Sequence, residues 1–240
     1  MTEQKSPSAN GGILATVRRI WRPISVPFTA VFLALLIGAI ILLFSGANPI
    51  DAYLALLRGS MASTQAFGRT LEKATPLILG GLAVAFAFKA GLFNIGGQGQ
   101  LLVAAIASAY LGFAIEGLPF LIHMPLALFG GALVGAVYGA IPGALKTYTG
   151  AHEVITTIML NFVAINITDY LADGPWKAEG IVTRTPPVQD TAAIPIWGNI
   201  PAGFFIAVAV SVGIWYLLYR TTLGYEIRTV GLNANAAEYA

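Results

Sequence analysis

The residues best suited to chemistry in this chain are neutral hydrogen-bonders. Asn94, Gln98 and Gln100 sit in the glycine-rich stretch Gly91–Gln100, which reads GLFNIGGQGQ, between two apolar segments. Thr157, Asn161 and Thr168 follow one another at spacings of four and seven, which puts them on one face of a helix. Carboxamides and hydroxyls of this kind bind polar, uncharged solutes. They also serve as interhelical hydrogen bonds worth about 0.6 kcal/mol each. Groups for bond-breaking chemistry are missing from the sequence. No Gly-Lys dipeptide exists, so there is no P-loop, and a dinucleotide fingerprint lacks the strand–helix unit it needs. The two histidines, His123 and His152, do not form an HExxH pair, and with no Cys a disulfide or thiolate metal site is excluded. No Ser/His/Asp set or mid-segment carboxylate pair offers nucleophilic or acid–base catalysis. The expectation is a non-catalytic protein without cofactor or metal.

What must position these groups is a set of apolar helices. Of 240 residues 57% are hydrophobic and 10% charged, where a soluble domain carries about 25% charged; mean hydropathy is +0.76. Such a surface would aggregate in water, and a bilayer is its natural solvent. The net charge of +2 is too small for a nucleic-acid footprint.

Residues 1–23 read as a cytoplasmic tail, disordered over Met1–Gly12. Its basic group Arg18, Arg19 and Arg22 precedes an uncharged run from Ile24 to Phe44. The run is long enough to cross a hydrocarbon core of about 30 Å, and too long for a cleaved signal. Further spans are expected at about 74–90, 98–116, 125–145, 154–171 and 201–219, giving a transmembrane domain over 24–219. The segment after the first span (Ile50, Tyr53, Leu54, Leu57, Met61) suits an amphipathic surface helix, or a plain loop. The span at 74–90 is marginal in length. The prolines of 172–200 (Pro175, Pro186, Pro187, Pro195) mark an external loop. Six spans put both ends of the chain on the cytoplasmic side, with the basic cluster fixing the first helix. The fold class is therefore all-α, a polytopic transmembrane helical bundle.

Gly131, Gly135, Gly139 and Gly143 recur every four residues and mark a face for close helix packing. Bulk at Gly135 is expected to harm folding more than solute choice. The Asn94–Gln100 interruption has two readings. It lines a solute path, since broken helices at membrane depth do so, or it is a wet cytoplasmic turn. In the final stretch, 220–240, Gly231 reads as a helix breaker. Asn233 or Asn235 would cap a short Ala-rich helix after it, suited to docking.

Three stretches together carry a resemblance: Pro76–Gln100 (PLILGGLAVAFAFKAGLFNIGGQGQ), Glu153–Leu171 (EVITTIMLNFVAINITDYL) and Thr221–Ala240 (TTLGYEIRTVGLNANAAEYA). In this order they resemble the permease subunits of bacterial ABC importers for nucleosides and simple sugars, relatives of the ribose and branched-chain amino-acid permeases. The pattern often carries Glu where Gln98 stands. Members continue with further spans, so the chain reads as truncated. The resemblance implies an inner-membrane location, surrounding lipid, a second permease subunit, cytoplasmic ABC ATPase subunits and an external substrate-binding lipoprotein received by 172–200. It places 220–240 in the region that couples to the ATPase, with Gly224, Arg228, Gly231, Asn233, Ala237 and Glu238 as the coupling residues. Substitution of Gly231 or Glu238 is expected to uncouple hydrolysis from transport. It also sets Asn94, Gln98, Gln100, Thr157 and Asn161 along the path. An ion-coupled secondary transporter remains a second class, although only Glu116 and Asp169 approach the spans.

Overall fold

The computed structural model describes residues 10–233 and 237, with side chains from Ser25 onward. Residues 1–9, most of the expected disordered tail, lie outside the described residues, as do Asn235 and Glu238. Eight helices carry the described chain: α1 Asn10–Phe44, α2 Pro49–Met61, α3 Thr64–Lys89, α4 Gly97–Ala114, α5 Phe120–Thr149, α6 Glu153–Asp173, α7 Ala202–Arg220 and α8 Thr222–Leu232. Six have stretches long and apolar enough to cross a membrane: Ser25–Phe44, Thr64–Lys89, Gly97–Ala114, Phe120–Thr149, Glu153–Asp173 and Ala202–Arg220. The chain is an all-α, multi-pass membrane bundle.

Two compact units divide at Ala66. In the first, α1 is already helical at Asn10, where a tail was expected up to residue 23, and it runs on through Pro23 and Pro27. The amphipathic segment forms α2, opened by Asn48, whose side chain accepts from the Ile50 amide at 3.0 Å. Tyr53 of α2 donates to the Leu35 carbonyl of α1 at 2.5 Å.

The second unit, Phe67–Ala240, holds the interior. The second span is no marginal helix. α3 has 26 residues and absorbs Arg69, Glu72 and Lys73, which the sequence reading left outside. Pro76 within it cannot donate to the preceding turn. The core is the packing of α4 against α5 and α6. α5 runs for 30 residues, about 45 Å of rise, whereas α4 has only 18, about 27 Å. The shorter helix leaves room at one end of the core for the irregular chain between α3 and α4.

At the other end of α4 the loop between α6 and α7 folds back onto the bundle. It carries a hairpin pairing Ile196 with Pro201 and Trp197 with Ile200. Gly198 takes the left-handed φ of 64° in its two-residue turn. Asp173 binds Lys177 at 2.8 Å and accepts from Thr183 at 2.9 Å. The Gln189 amide donates to the Gly112 carbonyl at 3.0 Å, and Trp176 stacks on Tyr110 at 4.5 Å.

His123, fully buried, pins this loop. Its Nε2 lies 3.0 Å from the Leu111 carbonyl, so Nε2 carries the proton and donates. Nδ1 then accepts from the Thr191 hydroxyl at 2.8 Å. Replacing His123 with Ala leaves the carbonyl and the hydroxyl buried without a partner, a cost of about 1–3 kcal/mol. We expect His123→Ala to lower the melting temperature of the detergent-solubilised protein and to expose the 174–195 loop to limited proteolysis. A wild-type cleavage pattern would show that the loop does not hang on this side chain.

Candidate solute path and coupling region

The break between α3 and α4 begins with an ordered helix end. The Leu92 amide reaches back to the Ala87 carbonyl at 2.9 Å and the Gly91 amide to the Phe88 carbonyl at 3.1 Å. This is a Schellman motif, whose left-handed residue is Gly91 at φ 74°. Asn94 then forms a local turn, its Oδ1 accepting from the Gly96 amide at 2.8 Å. The same oxygen accepts from Gln100 Nε2 at 3.3 Å, while Asn94 Nδ2 faces Gln100 Oε1 at 3.4 Å. Two carboxamides thus pair across the break.

Asn161 closes the arrangement from α6. Its Oδ1 accepts from the Gly99 amide at 2.8 Å, and its Nδ2 donates to the Ile95 carbonyl at 3.0 Å. The first amides of a helix have no partner within it. The α4 N-cap, Gly96, has no side chain to supply one. Asn161 therefore caps α4 from another helix. Proximity requires Gly99 to lack a side chain: a Cβ there would stand 2.9 Å from Asn161 Oδ1 and 3.0 Å from its Cα. At Gly96 a Cβ would meet Thr157 Cβ at 3.1 Å.

Thr157 is buried beside the break, with its hydroxyl turned to the Glu153 carbonyl at 2.7 Å. Thr168, on the same face, likewise bonds its own helix, to the Ala164 carbonyl at 2.9 Å. Of the five path candidates, the structure brings Asn94, Gln100, Thr157 and Asn161 together and leaves Gln98 exposed at the start of α4. Below the break a cavity of 60 Å³ is lined by Asn94, Gly139, Gly143, Lys146, Glu153 and Thr157, among others. A small-molecule site takes about 300–1,000 Å³, so this space holds a few waters and no sugar ring. Lys146 and Glu153 meet at 2.8 Å at its edge.

The α4 end of the break reaches into the bundle, while its Asn94 end shares the small cavity with Lys146 and Glu153. Asn161 lies eight residues into α6 from Glu153, about 12 Å of rise, and Gly139, against Gln100, lies seven residues before Lys146, about 10 Å.

The four glycines of α5 do not share one environment. Cβ atoms at Gly131, Gly135 and Gly139 would meet α4 at the Ala104 carbonyl (2.7 Å), Ala104 Cβ (2.9 Å) and Gln100 Cδ (3.2 Å). At Gly143 nothing stands within 4 Å. α4 has ended by that level, and Gly143 faces the small cavity.

The residues expected to couple fall on and after α8. A Cβ at Gly224 would run into the Leu217 carbonyl and come 2.6 Å from Leu218 Cα, so the turn from α7 to α8 needs glycine. Thr221 caps α8 by accepting from the Gly224 amide at 3.1 Å. Arg228 reaches the Gly224 carbonyl at 3.3 Å and lies 5.1 Å over the Tyr219 ring. α8 ends at Leu232, one residue beyond Gly231, with Asn233 extended after it. Gly231 packs its backbone on Lys89 and Gly91, where a side chain would not fit. The Ala237 amide bonds the Asn233 carbonyl at 3.0 Å, as at the start of a further helical turn. No group of three or more His, Cys, Asp or Glu that could hold a metal occurs among the described residues.

Fold and site together define a multi-pass membrane protein with a hydrogen-bonded break inside its helical core. The chain belongs to the branched-chain amino acid transport system / permease component family, whose model matches residues 67–240. It is 41% identical over 90% of its length to the guanosine ABC transporter permease protein NupP of Bacillus subtilis, covering 63% of that protein. It is 36% identical over 91% of its length to the nucleoside ABC transporter permease protein NupB of Lactococcus lactis, covering 64%. The glucose ABC transporter permease protein TsgB13 of Haloferax volcanii is 33% identical over 92% of the chain, 61% of that relative. The chain thus spans less than two thirds of the length of these relatives. No solved structure matches it.

Proposed function

We propose that the chain is the membrane-spanning part of a permease subunit of an ABC importer, and that its solute is a nucleoside. It lies in the bacterial inner membrane with both ends of this segment cytoplasmic. It works with a second permease subunit, ABC ATPase subunits and an external substrate-binding lipoprotein, and it carries no catalytic site of its own. The observation that carries this reading is the carboxamide-held break, whose α4 end lies about 10–12 Å inside the bundle. Irregular backbone at such depth persists only where protein or a water-filled cavity satisfies it, and interrupted helices of this kind line solute sites. Asn94, Gln100 and Asn161 spend their carboxamides, and Thr157 its hydroxyl, on holding the break, so these neutral groups shape the wall of the path for an uncharged solute. Gln98 would reach the path only from the exposed start of α4. Similarity to a guanosine permease at 41% identity supports a nucleoside over a sugar.

The solute assignment is tested by competition. Vesicles containing the intact permease with its partners should take up labelled guanosine, and unlabelled guanosine should compete more strongly than glucose or leucine. Competition by leucine without competition by guanosine would overturn the nucleoside reading.

A further inference from the structure

Gly91 and Gly231 touch through their backbones. A Cβ added to Gly91 would stand 2.9 Å from Gly231 Cα and 3.1 Å from the Gly231 carbonyl oxygen. One added to Gly231 would run into the Lys89 carbonyl and come 2.9 Å from the Gly91 nitrogen. The last turn of α8 therefore rests directly on the Schellman turn that ends α3. Gly91 is doubly constrained, since its left-handed φ of 74° also favours glycine. Three residues further on stands Asn94, whose carboxamide is paired with Gln100. α4 is fastened there to α6 by Asn161. A continuous chain of backbone and carboxamide contacts thus runs from α8 to the interior break. Neither glycine has a side chain whose rotamer could absorb a displacement, so movement of α8 must displace the turn or separate the two backbones.

The geometry points to a mechanical role for this contact. Gly91 and Gly231 are positioning residues, a bearing by which α8 moves the Asn94–Gln100 break. The inference rests on the ABC-permease reading and adds the route by which α8 reaches the interior. Packed interfaces of this kind shift between discrete arrangements more readily than they deform.

This chain has no Cys, so once any Cys in the rest of the permease and its partners is replaced, a single introduced thiol is a clean reporter. Phe93→Cys, exposed on the chain between α3 and α4, is placed in the intact permease, assembled with its ATPase and binding protein in proteoliposomes. Labelling by a membrane-impermeant maleimide is timed without nucleotide and after trapping with ATP and vanadate. Nucleotide is expected to change the labelling rate, and Gly231→Ala in the same background is expected to abolish that change. Persistence of the full change in the Gly231→Ala assembly would overturn the bearing. An assembly that imports solute with ATP yet shows no nucleotide effect at Phe93→Cys would also overturn it, leaving the permease reading intact. One that neither responds nor imports would remove the permease reading itself.

Should Gly231→Ala fail to assemble, nitroxides at Phe93 and Leu232 give the same decision without touching the glycines. Both side chains are exposed, as is that of Tyr148 at the end of α5. Dipolar broadening should show the Phe93–Leu232 separation constant between the two states while the Tyr148–Leu232 separation changes. A change in the first pair as large as in the second, or no change in either, would overturn the bearing.

Discussion

Replacing Asn161 with Leu is expected to abolish uptake and to destabilise the protein more than any other single change in the α4–α6 interface. The carboxamide supplies both an acceptor to the Gly99 amide and a donor to the Ile95 carbonyl. Leu is of similar size but offers neither. The amide of buried Gly99 would be left without a partner, at a cost of about 1–3 kcal/mol, and the exposed Ile95 carbonyl would lose its bond at smaller cost. The start of α4 would then lose its cap and the break its anchor on α6. Asn161→Asp separates the two roles: it keeps an acceptor for Gly99 and loses the donor to Ile95. The expected order of thermal stability in detergent is wild type, then Asp, then Leu, with uptake lost in Leu. Equal stability of the Leu variant and the wild type would show that the break holds without this side chain.

The second large effect is a contrast along one helix. Gly135→Leu places a Cβ 2.9 Å from Ala104 Cβ and 3.3 Å from the Gln100 carbonyl oxygen, and the rest of the side chain has nowhere to go. Overpacking typically costs about 1–3 kcal/mol, occasionally more, and here it would wedge α4 from α5. At Gly143, two turns away on the same face, an added Cβ meets no atom within 4 Å, and the small cavity lies beside it. Membrane-inserted yield and melting temperature should therefore fall steeply for Gly135→Leu and little for Gly143→Leu. Similar losses at both positions would mean that the four glycines act as one packing face.

That contrast marks what the sequence could and could not disclose. A period of four on α5 was legible, but where the partner helix stops is a tertiary fact. α4 begins at Gly97, so the stripe has a neighbour at Gly131, Gly135 and Gly139 and none at Gly143. Apolar runs disclosed the six spans. They hid the length of α3, whose first turns carry Arg69, Glu72 and Lys73 and so look like loop. The Gly-rich break stood out through its composition, and the face shared by Thr157 and Asn161 through its spacing. Their meeting depends on α4 crossing α6, which no local pattern encodes. Gly231 marked the end of α8 to within one residue, but its contact was hidden for a similar reason. Helix propensity disfavours glycine by about 1 kcal/mol, yet close approach to Gly91 makes it the residue that fits. His123 carried no local signal at all. Its partners, Leu111 and Thr191, lie 12 and 68 residues away.

The central claim is that solute crosses this bundle at the expense of ATP hydrolysed on another chain. The direct measurement is uptake of labelled guanosine into proteoliposomes containing the intact permease and binding protein, with and without the ATPase subunit. Each is driven by ATP or by an imposed proton gradient. The account predicts uptake only when ATPase and ATP are both present. Uptake driven by the gradient in vesicles lacking the ATPase would contradict it.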